Sequence, residues 1–173
     1  MAKAGDSFQM PDGSAYIVRQ PAAETAGEYI EMEFVLPADC VPPPPHVHPA
    51  QVEDYEVLEG SFDVMLDGSW RTLGPGESAS VPRGALHTFR NRSGALVRVR
   101  NRHTPALRFE DFIERTRDAL RAAGIRRSRD PRIPIILSTV MLEFGDTLAP
   151  ARRRERIPMR ALARLGRLLR VPA

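Results

Sequence analysis

The chain has 173 residues, 42% of them apolar and 27% charged, with a formal net charge of +3. That is the composition of a soluble globular protein, long enough to bury a core without disulfides. Cys40 is the only cysteine, which excludes an intrachain disulfide and fits a reducing cytosol. The opening MAKAGDSFQMPDG lacks the apolar core of a secretion signal. The longest uncharged run of the C-terminal half, Ile133 to Leu142, is ten residues, half of the roughly 20 that span a bilayer. The expectation is a cytoplasmic protein with no membrane span. Charge divides unevenly: residues 1–104 hold 9 Lys/Arg against 14 Asp/Glu, and residues 105–173 hold 16 against 8. The imbalance predicts two differently built segments, 1–104 and 105–173.

From Tyr29 to about Arg102 the hydrophobic pattern has period two. Ile30, Met32, Phe34 and Leu36 share one face of the first strand. Pro42 to Pro45 favour a stiff polyproline segment, which lowers the entropy lost in fixing the two histidines after it. These are His46 and His48, two residues apart, and then come the alternating Glu53, Tyr55 and Val57. Phe62, Val64 and Leu66 form another strand face that ends at Asp67-Gly68, a strong hairpin signal. A turn, a short strand and a second turn lead to His87 and Phe89. Val97 and Val99 then alternate with Arg98 and Arg100. Short strands and frequent turns with no helix between them predict an antiparallel sandwich or barrel.

Beyond Pro105 the period changes. Phe109, Phe112, Ile113, Thr116 and Leu120 have helical spacing, with Glu110 and Asp111 in the first turn and Gly124 closing the segment. Residues 132–148 read as a strongly apolar second helix. A third, within residues 152–170, sets Leu162, Leu165 and Leu169 opposite Arg160, Arg164 and Arg167. The Arg-rich stretch 125–132 reads as an exposed linker. The acidic first segment is the natural neighbour for the arginines of the tail.

On an extended segment His46 and His48 point to one side and can share one ion. Such a pair is by itself more often incidental than metallic. Glu53 stands five residues after His48, and Gln51 shares its parity as a rival ligand. His87 re-enters a strand just after Val81-Pro82-Arg83-Gly84. Cys40 is a small buried residue in this pattern, or else a stray thiol ligand.

These spacings resemble the two motifs of the cupin family. His46-x-His48, four residues, Glu53, six residues and Gly60 fit the first, except that Cys40 stands where the family has its leading glycine. Gly76, five residues, Pro82-Arg83-Gly84, two residues, His87, three residues and Asn91 fit every defined position of the second. The resemblance implies a mainly β fold, the cupin double-stranded β-helix or jelly-roll-like barrel, with residues 105–173 as an α-helical extension of the kind some bacterial cupins carry. It implies that His46, His48, Glu53 and His87 hold one divalent transition metal ion. Three imidazoles and a carboxylate suit Fe, Mn, Ni, Co, Cu or Zn without choosing among them. Four protein ligands leave adjacent positions open on an ion that accepts six, which suits catalysis more than a closed structural site. The resemblance also implies a homodimer, since cupins commonly pair through edge strands.

Parity from these ligands predicts an interior lined by Met32, Phe34, Tyr55, Val57, Phe62, Val64, Leu66, Phe89, Val97 and Val99, with Arg90, Arg98 and Arg100 outside. No inward cation is assigned, which argues against a phosphosugar substrate. An apolar wall around an open ion suits a small, largely apolar molecule with two chelating oxygens, such as an enolised diketone or a catechol. Glu53 and Tyr55 are the candidate acid–base residues. The first functional expectation is therefore a metal-dependent, dioxygenase-like enzyme. The second is a non-enzymatic metal-containing protein that binds or senses a small ligand. A nucleic-acid regulator acting through the basic helices is disfavoured. Prolines 131, 134, 150 and 158 break the tail, and it offers no aromatic stacking platform.

Overall fold

The computed structural model describes every residue except Met1, Asp39, Ser128, Ala151, Arg152, Arg170, Pro172 and Ala173, and only the backbone of Arg153. Part of the linker at 125–132 and both ends of the third helical stretch as read from sequence therefore lie outside the described residues.

Two antiparallel sheets face each other. The six-stranded sheet contains β1 (Ser7–Gln9), β2 (Ala15–Gln20), β3 (Ile30–Leu36), β5 (Val52–Glu59), β8 (Ser78–Val81) and β10 (Val97–Thr104), in the order β1-β2-β3-β10-β5-β8. The five-stranded sheet contains β4 (His46–Val47), β6 (Phe62–Leu66), β7 (Ser69–Leu73), β9 (His87–Arg90) and β11 (Ala149–Pro150), in the order β11-β4-β9-β6-β7. This is the mainly β double sheet that the alternation predicts. The predicted interior residues are buried, with Leu66 only half-buried.

The turn chemistry matches its sequence. Leu66 pairs with Ser69 across Asp67-Gly68, whose φ angles are 47° and 89°. Positive φ at both central residues is the tight hairpin turn whose twist suits flanking strands. Gly60 at φ 84° is needed for space as well, since a Cβ there would lie 2.8 Å from the Leu96 carbonyl oxygen. Asn91 is structural: its Nδ2 donates to the carbonyls of Leu36, Pro37 and Ala95, and its Oδ1 accepts from the Ser93 amide and hydroxyl.

Two strands precede the predicted barrel. β1 has only three residues, and the register of β2 on β3 shifts between Val18 and Gln20, which breaks the alternation a reader would look for. The loop after β1 positions the polyproline segment, because Asp12 accepts the amides of Ser14 and Val41.

The tail forms α1 (Phe109–Ala122), α2 (Ile133–Glu143) and α3 (Arg156–Leu168). α1 buries Phe109, Ile113, Thr116 and Leu120 as its spacing predicts. It ends where Gly124 takes φ 65°, with the Gly124 and Ile125 amides donating to the carbonyls of Arg121 and Leu120, a paired cap that satisfies the last turn. Phe109 and Ile113 join the barrel core itself, and each such burial stabilises by about 1.5–3 kcal/mol.

Three expectations for the tail change. α2 stops at Glu143, and the chain returns as β11 to pair with β4. α3 buries Ala163 and Gly166 rather than its leucines: Leu162 is half-buried, and Leu165 and Leu169 stay exposed. The tail's arginines do not seek the acidic barrel. Among the described residues Arg108, Arg115, Arg117 and Arg132 pair with Asp146, Glu143, Glu114/Asp118 and Asp130, all within the tail. Arg117 and Arg132 find acidic partners within three residues, and Arg108 and Arg115 find theirs where the end of α2 comes back against α1.

Candidate metal centre

His46 and His87 are direct partners across β4 and β9, and Glu53 and His103 are direct partners across β5 and β10. The two pairs face each other from opposite sheets, and His48 lies just beyond β4, between them. All four histidines of the chain therefore meet one carboxylate inside the barrel, and all five side chains are buried. Ligand atoms from His46, His48, Glu53 and His87 lie within 4.8 Å of one another. Donors bound to a common ion at about 2.0–2.2 Å stand no more than about 4.4 Å apart, so the cluster is close to closing on one ion.

Backbone carbonyls orient the rings. Nδ1 of His46 lies 2.9 Å from Pro44 O, that of His48 2.6 Å from Thr147 O, and that of His87 3.0 Å from Ala85 O. A carbonyl only accepts, so each Nδ1 carries the proton and each neutral Nε2 turns a lone pair inward. His87 Nε2 then faces Glu53 Oε2 at 2.8 Å, and His48 Nε2 faces it at 3.4 Å. These three atoms are buried without a hydrogen-bond partner. Lone pairs so close require a proton or a cation between them. The donor set thus fits a divalent transition metal, with the outer nitrogens fixed as metal-binding histidines require.

The ionisation tendencies agree. Burial would lower the His87 imidazole, but the Glu53 carboxylate outweighs it and raises its pKa. Burial, reinforced by His87 and His48, pushes His46 down to about 3. Burial would raise the Glu53 carboxyl, yet the facing His103, His48 and His87 rings hold it well below the usual range.

Sequence reasoning missed three partners of this cluster. Asn101 Nδ2 donates to Glu53 Oε1 at 2.8 Å, and His103 Nε2 lies 3.3 Å from the same oxygen, its ring stacked on Phe109 of α1 at 3.5 Å. Both were within reach of the pattern, since they continue the inward parity of Val97 and Val99. The third is the Thr147 carbonyl on His48, a contact across 99 positions that no local signal announces. The tail thus helps build the centre.

The remaining candidates lie around this cluster. Gln51 is buried, and its amide donates to Pro105 O and Ala106 O, which fixes the corner between β10 and α1. Cys40 is buried outside the cluster. Tyr55 packs against Phe62 and Phe89 in the barrel core; burial, then the Glu53 charge, raises its hydroxyl pKa.

A cavity of 260 Å³ opens onto His46, His48 and Glu53. Pro42 to Pro44, Phe34 and Phe89 form one side, and α1, α2 and Leu148 form the roof through Phe109, Ile113, Leu120, Leu137 and Met141. Tyr16 also lines it and Tyr55 does not. No Lys or Arg is among the described residues of the wall.

The Cupin domain family matches residues 32–100. An uncharacterized protein of Aquifex aeolicus (strain VF5) is 36% identical over 53 residues, 31% of this chain and 44% of that protein, so the match spans less than half of the curated relative. An RmlC-like cupin from Shewanella frigidimarina NCIMB 400 superposes with a TM-score of 0.51 at 21% identity, covering 62% of this chain and 88% of the other. The cupin domain of Schizosaccharomyces pombe Cnp3 gives 0.50 at 15%, covering 58% and 68%. At these identities the structural likeness speaks for the fold alone. Together with the double sheet, the family match identifies residues 32–100 as a cupin domain.

Proposed function

We propose that this cupin is a metal-dependent enzyme of oxygenase type acting on a small, largely apolar molecule with two chelating oxygens, an enolised diketone or catechol being the type. The observation that carries this reading is the cavity: its floor is the His/Glu cluster and its wall is apolar and free of Lys and Arg among the described residues. Phosphate has no partner there, whereas an apolar body with a chelating edge is matched at both ends.

His46, His48, Glu53 and His87 would hold the ion. When bound, Fe, Mn, Ni, Co, Cu or Zn would supply Lewis-acid polarisation of the chelating oxygens, and a redox-active ion would also supply a route to dioxygen chemistry. The residues of the chain do the rest. Phe34, Phe89 and Phe109 hold the apolar body and exclude water. Asn101 donates to Glu53 Oε1, with His103 Nε2 3.3 Å from the same oxygen, and Oε2 is left for the ion. Glu53 is the candidate base, and Tyr55 lies outside the wall with its hydroxyl buried and without a hydrogen-bond partner. Residues 1–104 form the cupin unit that carries the ligands, and residues 105–173 form the extension that roofs the cavity. The reading includes a cytoplasmic homodimer with no nucleic-acid partner.

One observation favours the second reading, a metal-containing binder or sensor. Apart from the ligands and Tyr16, the wall is poor in uncommitted acid–base groups: both Asp12 oxygens accept backbone amides, and Thr116 Oγ1 donates to Phe112 O. Metal analysis of protein purified without added metal or chelator, then oxygen uptake on a diketone and catechol panel, separates the two. Iron with uptake supports the enzyme. Zinc with ligand binding and no turnover supports the binder. Absence of both metal and ligand binding overturns both.

A further inference from the structure

Most of the large apolar side chains of α3 face away from the protein, while Met159 and Leu162 are half-buried. Its contact with α2 is made by small residues, and a Cβ on Gly166 would lie 2.6 Å from Ile135 Cγ2, so only glycine permits that approach. On the other side Ile157 is 70% exposed, Leu165 42%, Leu168 80% and Leu169 61%. At 3.6 residues per turn, Ile157, Ala161, Leu165 and Leu168 fall within a sector of about 80°. Arg160, Arg164 and Arg167 occupy the adjoining sector, all exposed. Among the described residues these arginines make no ion pair, unlike Arg108, Arg115, Arg117 and Arg132 earlier in the tail.

An apolar ridge beside an unneutralised basic row restricts what can cover it. A second copy of α3 laid antiparallel would set arginine row against arginine row, like charge on like. A nucleic-acid duplex would take the arginines but leave the leucines in water, and the helix has no aromatic on which a base could stack. An anionic lipid surface satisfies both flanks, because the ridge enters the boundary between headgroups and acyl chains while the guanidinium groups reach lipid phosphates.

We propose that α3 docks the protein flat on an anionic membrane surface, with Ile157, Leu165, Leu168 and Leu169 entering the lipid and Arg160, Arg164 and Arg167 holding phosphates. This rests on the helix surface alone and is independent of any reaction at the metal centre.

The test is flotation of the full chain with phosphatidylcholine vesicles, with and without about one third phosphatidylglycerol, at low and high salt. The chain should float with the anionic vesicles only, and high salt should release it. Arg160→Gln/Arg164→Gln should weaken binding by roughly 30-fold, since each basic residue near such a surface contributes about one factor of five. Leu168→Ser should weaken it by about tenfold. Unchanged Co(II) uptake and circular dichroism would show that the exposed substitutions leave the fold intact. No binding to anionic vesicles, equal binding to neutral ones, or binding to duplex DNA instead would overturn the proposal. So would a dimer in light scattering that Leu168→Ser converts to monomer.

Discussion

Outward from β10, Arg98, Arg100 and Arg102 reach Glu33, Glu56 and Glu31, and each arginine keeps 41–46% of its side-chain surface in water. Inward from the same strand, Asn101 and His103 reach Glu53, and neither exposes any surface. Both sets are charged or polar ladders, separated by one residue of register. Outside, solvent screens the charges and supplies alternative partners, so pairing stabilises little. Inside, no water substitutes, so an unpartnered atom is costly unless something else completes it. His48 Nε2, His87 Nε2 and Glu53 Oε2 are unpartnered atoms that a shared ion would complete. Location relative to water, more than residue type, separates a surface ladder from a site.

The contrast can be broken most severely at the ligands. His48→Ala/His87→Ala should abolish saturable metal uptake while circular dichroism still reports the double sheet. Retained uptake would show that these orphaned nitrogens are not what the ion needs.

Changing the supports behind Glu53 should have a smaller effect. Asn101→Leu or His103→Leu should each weaken metal affinity by about 10–100-fold, measured by competition with a chelating dye. His103→Leu should change folding stability by less than about 1.5 kcal/mol in urea, because the volume is nearly kept and both imidazole nitrogens lack a hydrogen-bond partner. A large stability loss with unchanged metal affinity would make His103 a core residue and nothing more.

pH sharpens the same distinction. In metal-free protein His46 and His103 titrate at about 3 and about 4, burial being the main cause, against 6.5 when unfolded. Between those values the unfolded chain binds more protons, so stability falls as pH drops from about 6.5 towards 4. Glu53, lowered from 4.5, acts in the same sense below that value, while His87, raised, opposes it by favouring the folded state below 6.5. The two buried histidines should dominate, and urea midpoints at pH 7 and pH 5 measure the balance. A higher midpoint at pH 5 would mean that His87 wins.

The smallest effect belongs to the outer ladder. Glu56→Gln should cost no more than about 0.2–1 kcal/mol and leave metal affinity unchanged. A larger loss would erase the contrast between the two faces of β10.

Much of this arrangement was legible in the residues. Period-two runs placed the interior faces of β3, β5, β6, β9 and β10, and Asp67-Gly68 fixed a hairpin because few residues other than glycine tolerate positive φ readily. Motif spacing brought His46, His48, Glu53 and His87 into one cluster. Asn101 and His103 needed only the parity of Val99 carried four residues further. The rest depended on contacts distant in sequence, which leave no local period. β11 is two residues long and meaningful only beside β4, and the Thr147 carbonyl is one polar atom among many. The burial of α3 by Ala163 and Gly166 inverted the usual rule, because close helix approach favoured small side chains over leucines.

Most depends on whether the three orphaned ligand atoms and His46 bind one ion at the floor of the cavity. An absorption titration of metal-free protein with Co(II) tests it most directly. Ligand-field bands should saturate at one equivalent per chain and be absent from His48→Ala/His87→Ala. No saturable bands in the wild type, or the same bands in the double variant, would contradict it.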